Sequence, residues 1–275
     1  MKLSLGFSPC PNDTYIFDAL VNKRIELNKY DFDIEISDVE KLNQQALENN
    51  LDITKLSFAT YAHVSEKYQI LPYGAALGFG NGPLLISKRK IYPDEVPFVK
   101  IAIPGAFTTA FLLLKIFWPD SKQIKEYIFS DIEEVVLSGE ADAGLIIHET
   151  RFTYKKRGLL KISDLGEMWE NKTSLPLPLG GIAIKRSLSD KVKNDIGILL
   201  KNSLEYANRF PDASLEFIRK NAQETSADIT KQHIKLYVNK YSLDLGEEGK
   251  KAILHLLNQG FEKNIIPKYT EPIYI

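Results

Sequence analysis

The apolar positions of this chain come in short runs followed by longer stretches with a period near 3.6. Seven runs read as buried strands: 2–8 (KLSLGFS), 32–38 (FDIEISD), 51–57 (LDITKLS), 83–89 (PLLISKR), 100–105 (KIAIPG), 143–148 (AGLIIH) and 180–186 (GGIAIKR). Between them, 108–117 (TTAFLLLKIF), 130–140 (SDIEEVVLSGE) and 58–66 read as helices. In the second of these, Ile132, Val135, Val136 and Leu137 make the apolar face, and Ser130 with Glu133 suits a capping box. From about 188 to 264 the pattern is helical, with apolar residues at 192, 196, 199, 200 and 204 on one face. Strand–helix alternation predicts an α/β fold with mostly parallel sheets.

Two segments rhyme, LLISKRKI (84–91) and GIAIKRSL (181–188), each a strand running into a Lys/Arg pair. The block between them reads as an α/β unit inserted in another. The division expected is a larger lobe of 1–88 plus 183–275 and a smaller lobe of 89–182.

Composition narrows the function classes. The chain has 275 residues and a net charge of -1, which favours neither nucleic acid nor an anionic membrane as partner. One cysteine excludes a disulfide framework, and without HxxxH or HExxH spacing no metal site is expected. No run approaches the ~20 apolar residues of a membrane helix, and Met1-Lys2 leads directly into a strand. The expected setting is cytoplasmic. A phosphate loop is disfavoured, since neither GxxxxGK nor GxGxxG occurs.

In open parallel sheets, ligands sit beyond the carboxyl ends of strands, where helix N-termini offer free N–H groups. Four such ends carry polar residues. In SPCPNDT (8–14), Pro9 and Pro11 stop the strand, Asn12 or Asp13 suits an N-cap, and Asn12 is the better candidate for a ligand contact. Cys10 has no paired base in its neighbourhood, which argues against a nucleophilic thiol. Lys55, Leu56 and Ser57 end the third strand, where Ser57 can cap a helix and donate to a carboxylate. Thr108 and Thr109 open a helix after Gly105. His148 ends the run 143–148, and its side chain titrates in the range useful for proton transfer. His63, His233 and His255 lie in helical patterns with no partner at ligand spacing, and GFGNGP (78–83) reads as a flexible approach to the crossover strand.

Taken in order, SPCPNDTYIF, TKLSFATYAHV, GNGPLLISK, IAIPGAFTTAFLLL and GLIIHETRFTY closely resemble the 1,4-dihydroxy-6-naphthoate synthases of the futalosine route to menaquinone. The likeness runs from about residue 3 to 187. It implies a two-lobed periplasmic-binding-protein-like (type II) fold with the ligand cleft between the lobes. It also implies a lyase that converts cyclic dehypoxanthine futalosine to 1,4-dihydroxy-6-naphthoate without cofactor or metal, losing the sugar-derived fragment. His148 falls on the family's general base, and Lys55, Leu56, Ser57, Thr108 and Thr109 on its substrate-holding positions. Ala106-Phe107 stands where a more polar pair is expected. The substrate is the only partner implied, with a homodimer left open. Two rival readings are chorismate dehydratase, which has the same fold and pathway, and a non-catalytic small-anion binding protein.

Overall fold

The computed structural model describes residues 1–222 and 226–275, and two mixed sheets carry the chain. The first has the order β2-β1-β3-β11-β4, made of β1 (Lys2–Phe7), β2 (Asp31–Ile36), β3 (Ile53–Ser57), β4 (Tyr68–Ile70) and β11 (Leu177–Lys185), with β5 (Ala76–Gly78) also on β11. The second has the order β10-β6-β9-β7-β8, made of β6 (Leu84–Ser87), β7 (Ile101–Ile103), β8 (Ile124–Glu126), β9 (Ala143–Ile146) and β10 (Leu160–Asp164).

The expectation of mostly parallel sheets needs correction. β1 runs parallel to β2 and β3, and β7 parallel to β8 and β9, as βαβ connections dictate. The strands on which the chain changes sheet, β6 and β11, pair antiparallel with all their neighbours. The rhyming segments therefore lie in different sheets. Strand 84–87, assigned to the first lobe by its sequence, pairs with β9 and β10 in the second. The chain changes sheet between Gly78 and Leu84 and returns between Asp164 and Leu177, rather than near 88 and 182.

Along the first part of the chain the helices are α1 (Pro11–Val21), α2 (Val39–Leu47), α3 (Phe58–Val64), α4 (Thr109–Phe117), α5 (Ile132–Ser138), α6 (Thr150–Thr153) and α7 (Leu165–Thr173). The C-terminal third adds α8 (Asp190–Arg209), α9 (Leu215–Asn221), α10 (Ala227–Tyr237), α11 (Lys240–Leu243) and α12 (Gly246–Glu262). The helical reading of 188–264 holds over its described part; residues 223–225 lie outside the described residues. The spacing read for α8 is the buried one: Val192, Ile196, Leu199, Leu200 and Leu204 share a core with Phe7, Phe17 and Ile184.

Caps depart from the sequence reading. α5 starts at Ile132, directly after a short 3-10 turn that ends at Asp131, and has no capping box. Ser130 Oγ instead donates to Asp131, and Glu133 pairs with Arg157 at 3.3 Å. α1 is capped by Cys10, with Pro11 at its first position, so Asn12 and Asp13 fall inside the first turn. Proline is tolerated there because that N–H has no intrahelical partner in any case.

Candidate active site

Between the sheets lies a cleft with a cavity volume of about 80 Å³. The ends of β1, β3 and β9 and the N-termini of α1, α3 and α4 converge on it. It is lined by Asn12, Lys55, Leu56, Ser57, Thr108, Thr109 and His148, all seven residues singled out from the sequence.

His148 lies just past β9 in the left-handed region, with φ +59°. Its ring meets Phe129 edge-on at 5.0 Å and lies nearly parallel to His233 at 6.5 Å. Nδ1 is 3.3 Å from Cys10 Sγ. Nε2 is buried and has no hydrogen-bond partner among the described residues. Burial pushes this imidazole down to about 4; Asp13 and Asp38 pull the other way and Lys55 adds to the fall, so the ring is neutral near pH 7. The same burial, with Glu149 next, drives the Cys10 thiol well above its usual value, so it stays protonated.

Opposite stand two sets of donors. Ser57 N–H donates to Asn43 Oδ1 at 2.9 Å, and Asn43 Nδ2 donates to Ser57 Oγ at 3.2 Å. Since Ser57 Oγ accepts that bond, its own proton remains for a ligand. Across the cleft, Thr108 caps α4 by accepting from Phe111 N–H, which leaves the N–H groups of Thr109 and Ala110 as the unpaired first-turn donors. A carboxylate suits either set.

A profile described as menaquinone biosynthesis matches residues 3–262. The chain belongs to that menaquinone biosynthesis family. It is 41% identical over 273 residues to a 1,4-dihydroxy-6-naphthoate synthase of Thermus thermophilus, covering 99% of each chain. A synthase of the same name from Streptomyces coelicolor is 37% identical over 270 residues, covering 96% of this chain and 95% of that one. Among solved structures, a protein of Archaeoglobus fulgidus superposes with a TM-score of 0.91 at 33% identity, covering 96% and 98% of the two chains. The ligand-binding component of a Staphylococcus aureus ABC-type import system (TM-score 0.72, 11% identity, 100% and 96% covered) shows the periplasmic-binding-protein-like fold alone. So does the alkanesulfonate-binding protein of Xanthomonas axonopodis (0.72, 12%, 97% and 94%).

Within this member of the menaquinone biosynthesis family, the lining residues divide by what their polar atoms are free to do. Lys55 Nζ, buried, ion-pairs with buried Asp13 at 2.8 Å, and Asp13 also accepts from Ser8 N–H, Ser8 Oγ and Asn12 Nδ2. Asn12 Oδ1 accepts from His233 Nε2 at 2.8 Å, so the amide is largely turned into the protein. The threonine hydroxyls are also turned inward. Thr108 Oγ1 donates to Gly105 O, while Thr109 Oγ1 donates to Leu179 O and accepts from Ala59 N–H. What these threonines present to the cleft is backbone, not hydroxyl.

Two judgements from sequence are overturned. Cys10 does have a partner base, His148, 138 residues away. His233 is no solitary helical histidine: it is fully buried, bonded to Asn12 and 4.5 Å from Tyr237. Burial drives its pKa well below the ordinary value, with His148 and Lys55 adding to the fall. A signal was present, since Thr230, His233 and Tyr237 recur at helical spacing on one buried face of α10. Cys10, His148 and Glu149 also bring ligand atoms within 4.8 Å of one another, a grouping that motif spacing does not reveal because the first lies far from the other two.

Proposed function

We propose that this chain converts cyclic dehypoxanthine futalosine to 1,4-dihydroxy-6-naphthoate, acting as a cofactor-independent carbon–carbon lyase with His148 as general base. The observation that carries the role of His148 is its buried, unpartnered Nε2 in a cleft whose far wall offers anion donors. Two close relatives bearing the synthase name support the reaction. In this reading a substrate carboxylate takes the Ser57 hydroxyl or the first-turn N–H groups of α4. Nδ1–H donates to Cys10 Sγ, which leaves the Nε2 lone pair to face the substrate. The neutral ring then abstracts a proton, and the carbon–carbon bond breaks toward an aromatic product. Its low pKa keeps the base unprotonated at neutral pH, and the surrounding walls limit competing water. The relatives' place in biosynthesis supports a cytoplasmic setting.

The test is product formation from purified protein and cyclic dehypoxanthine futalosine, wild type against His148→Ala. A general base contributes roughly 10²–10⁴-fold. Naphthoate from wild type, a loss of that order in the variant and an unchanged substrate Kd are expected. Equal turnover by the two proteins removes His148 from the chemistry. Binding without turnover by wild type makes the chain a capture protein on an enzyme's frame.

A further inference from the structure

We infer that Glu40 is a positioning residue: it clamps the loop opening α4 to the Asn43–Ser57 pair, so that both sets of anion donors are held at one spacing. The inference rests on the proposed reaction only for what the donors bind, not for the clamp itself.

Glu40 lies in the first turn of α2, on the first sheet's side, while Gly105, Ala106 and Phe107 belong to the second. Its carboxyl group takes two side-chain donors, Asn43 Nδ2 on Oε2 at 3.2 Å and Gln44 Nε2 on Oε1 at 3.0 Å, and it packs directly against Gly105 of the loop. The next amide, Ala106 N–H, donates to Glu126 of β8 at 3.2 Å. The loop is thus bonded to Glu126 through Ala106 and packed against Glu40 at Gly105.

The fit is close. Gly105 has φ +144°, which favours glycine, and a Cβ there would fall inside the Glu40 carboxyl group and push that side chain aside. α3 adds a second grip: Thr60 Oγ1 donates to Phe107 O at 2.8 Å, and His63 meets the Phe107 ring edge-on at 5.4 Å. Phe107 therefore gains from its ring and its backbone what a polar side chain there was expected to supply.

Asn43 links the clamp to the site. The residue that donates to Glu40 also orders both the N–H and the hydroxyl of Ser57. On the other side, the clamped loop runs straight into Thr108 and the free N–H groups of α4. Burial pushes the Glu40 carboxyl up to about 7, with Asn43 and Gln44 opposing and Glu126 adding to the rise. Lys41, beside it in sequence, pairs with Glu35 instead. Near neutral pH much of Glu40 is protonated, and Glu40→Gln copies that uncharged shape.

The experiment compares wild type, Glu40→Ala and Glu40→Gln by amide hydrogen exchange over residues 105–113 without substrate, and by kcat and KM for cyclic dehypoxanthine futalosine. Glu40→Ala should lose protection across this segment and raise KM about tenfold, the worth of one or two hydrogen bonds, with kcat changed far less. Glu40→Gln should restore both readings toward wild type. Unchanged exchange in Glu40→Ala, or a fall in kcat at constant KM, overturns the assignment. Should wild type form no naphthoate, the proposed reaction fails and the exchange comparison alone decides the clamp.

Discussion

At the scale of single residues, the Cys10–His148 contact is where chemistry and packing meet. The sulfur of a neutral thiol 3.3 Å from Nδ1 can accept a hydrogen bond from Nδ1–H and hold the ring in the tautomer whose Nε2 is bare. Removing it leaves a buried N–H without a partner. Cys10→Ala should therefore lower kcat roughly 3- to 10-fold, the value of one modest hydrogen bond, with KM little moved. Cys10→Ser, which keeps an acceptor, should recover most of that loss. A drop as deep as that of His148→Ala, unrelieved by serine, would instead put the sulfur itself in the reaction. Neither Cys10 nor His148 announces the other in sequence: one lies in the turn between β1 and α1, the other just past β9.

At the scale of elements, the glycine-rich segment 78–83 changes meaning once folded. Read from sequence it is a flexible approach to β6. In the structure Gly80 does turn at φ +67°, but Gly82 lies against the backbone of Gly166 at the start of α7, and a Cβ on Gly82 would collide with its N and Cα. The crossing between sheets is thus held by backbone contact, which no side chain can retreat from. Gly82→Ala should cost about 1–3 kcal/mol, measured as a shifted denaturation midpoint, because the clash is with main chain. Stability equal to wild type would mean that α7 gives way freely. The strands and helices that were legible share one property: their burial is set by neighbours within a turn or a pleat. β6, β7 and β9 are as short as those that went unread, but were legible as apolar runs. β8 and β10 went unread because they carry charged residues and are exposed or half-buried over most of their length, and β4 and β5 because they offer only three residues beside turns.

At the scale of the molecule, titration of buried groups makes stability depend on pH in opposing directions. His148 and His233 have pKa values lowered by burial, so the unfolded chain binds more protons than the folded one below the ordinary histidine range. The contribution of His148 is whole above about 6.5 and is lost as pH falls through the window down to about 4. That of His233 is likewise lost as pH falls below the ordinary histidine range. Glu40 runs the other way. Raised to about 7, it stabilises below the usual carboxylate range and loses that contribution as pH rises to 7. Denaturant melts from pH 4 to 7.5 should show a steeper rise of stability with pH in Glu40→Gln than in wild type, and a shallower one in His148→Ala. Parallel curves for all three proteins would contradict these shifts.

The sequence by itself determined the α/β alternation, the principal strands and helices, and which strand ends could carry polar chemistry, because periodicity and turn residues are local. It also carried the family likeness, which spans motifs from separate parts of the chain. Tertiary structure decided the rest: the sheet to which β6 belongs, the pairing of Lys55 with Asp13, the contact of Cys10 with His148, and that of Asn12 with His233 across 221 positions. It also turned the threonine hydroxyls inward and left helix N–H groups in their place. Those outcomes depend on which surfaces the two sheets bury against each other, and a free energy summed over distant contacts has no signature in any short stretch of chain.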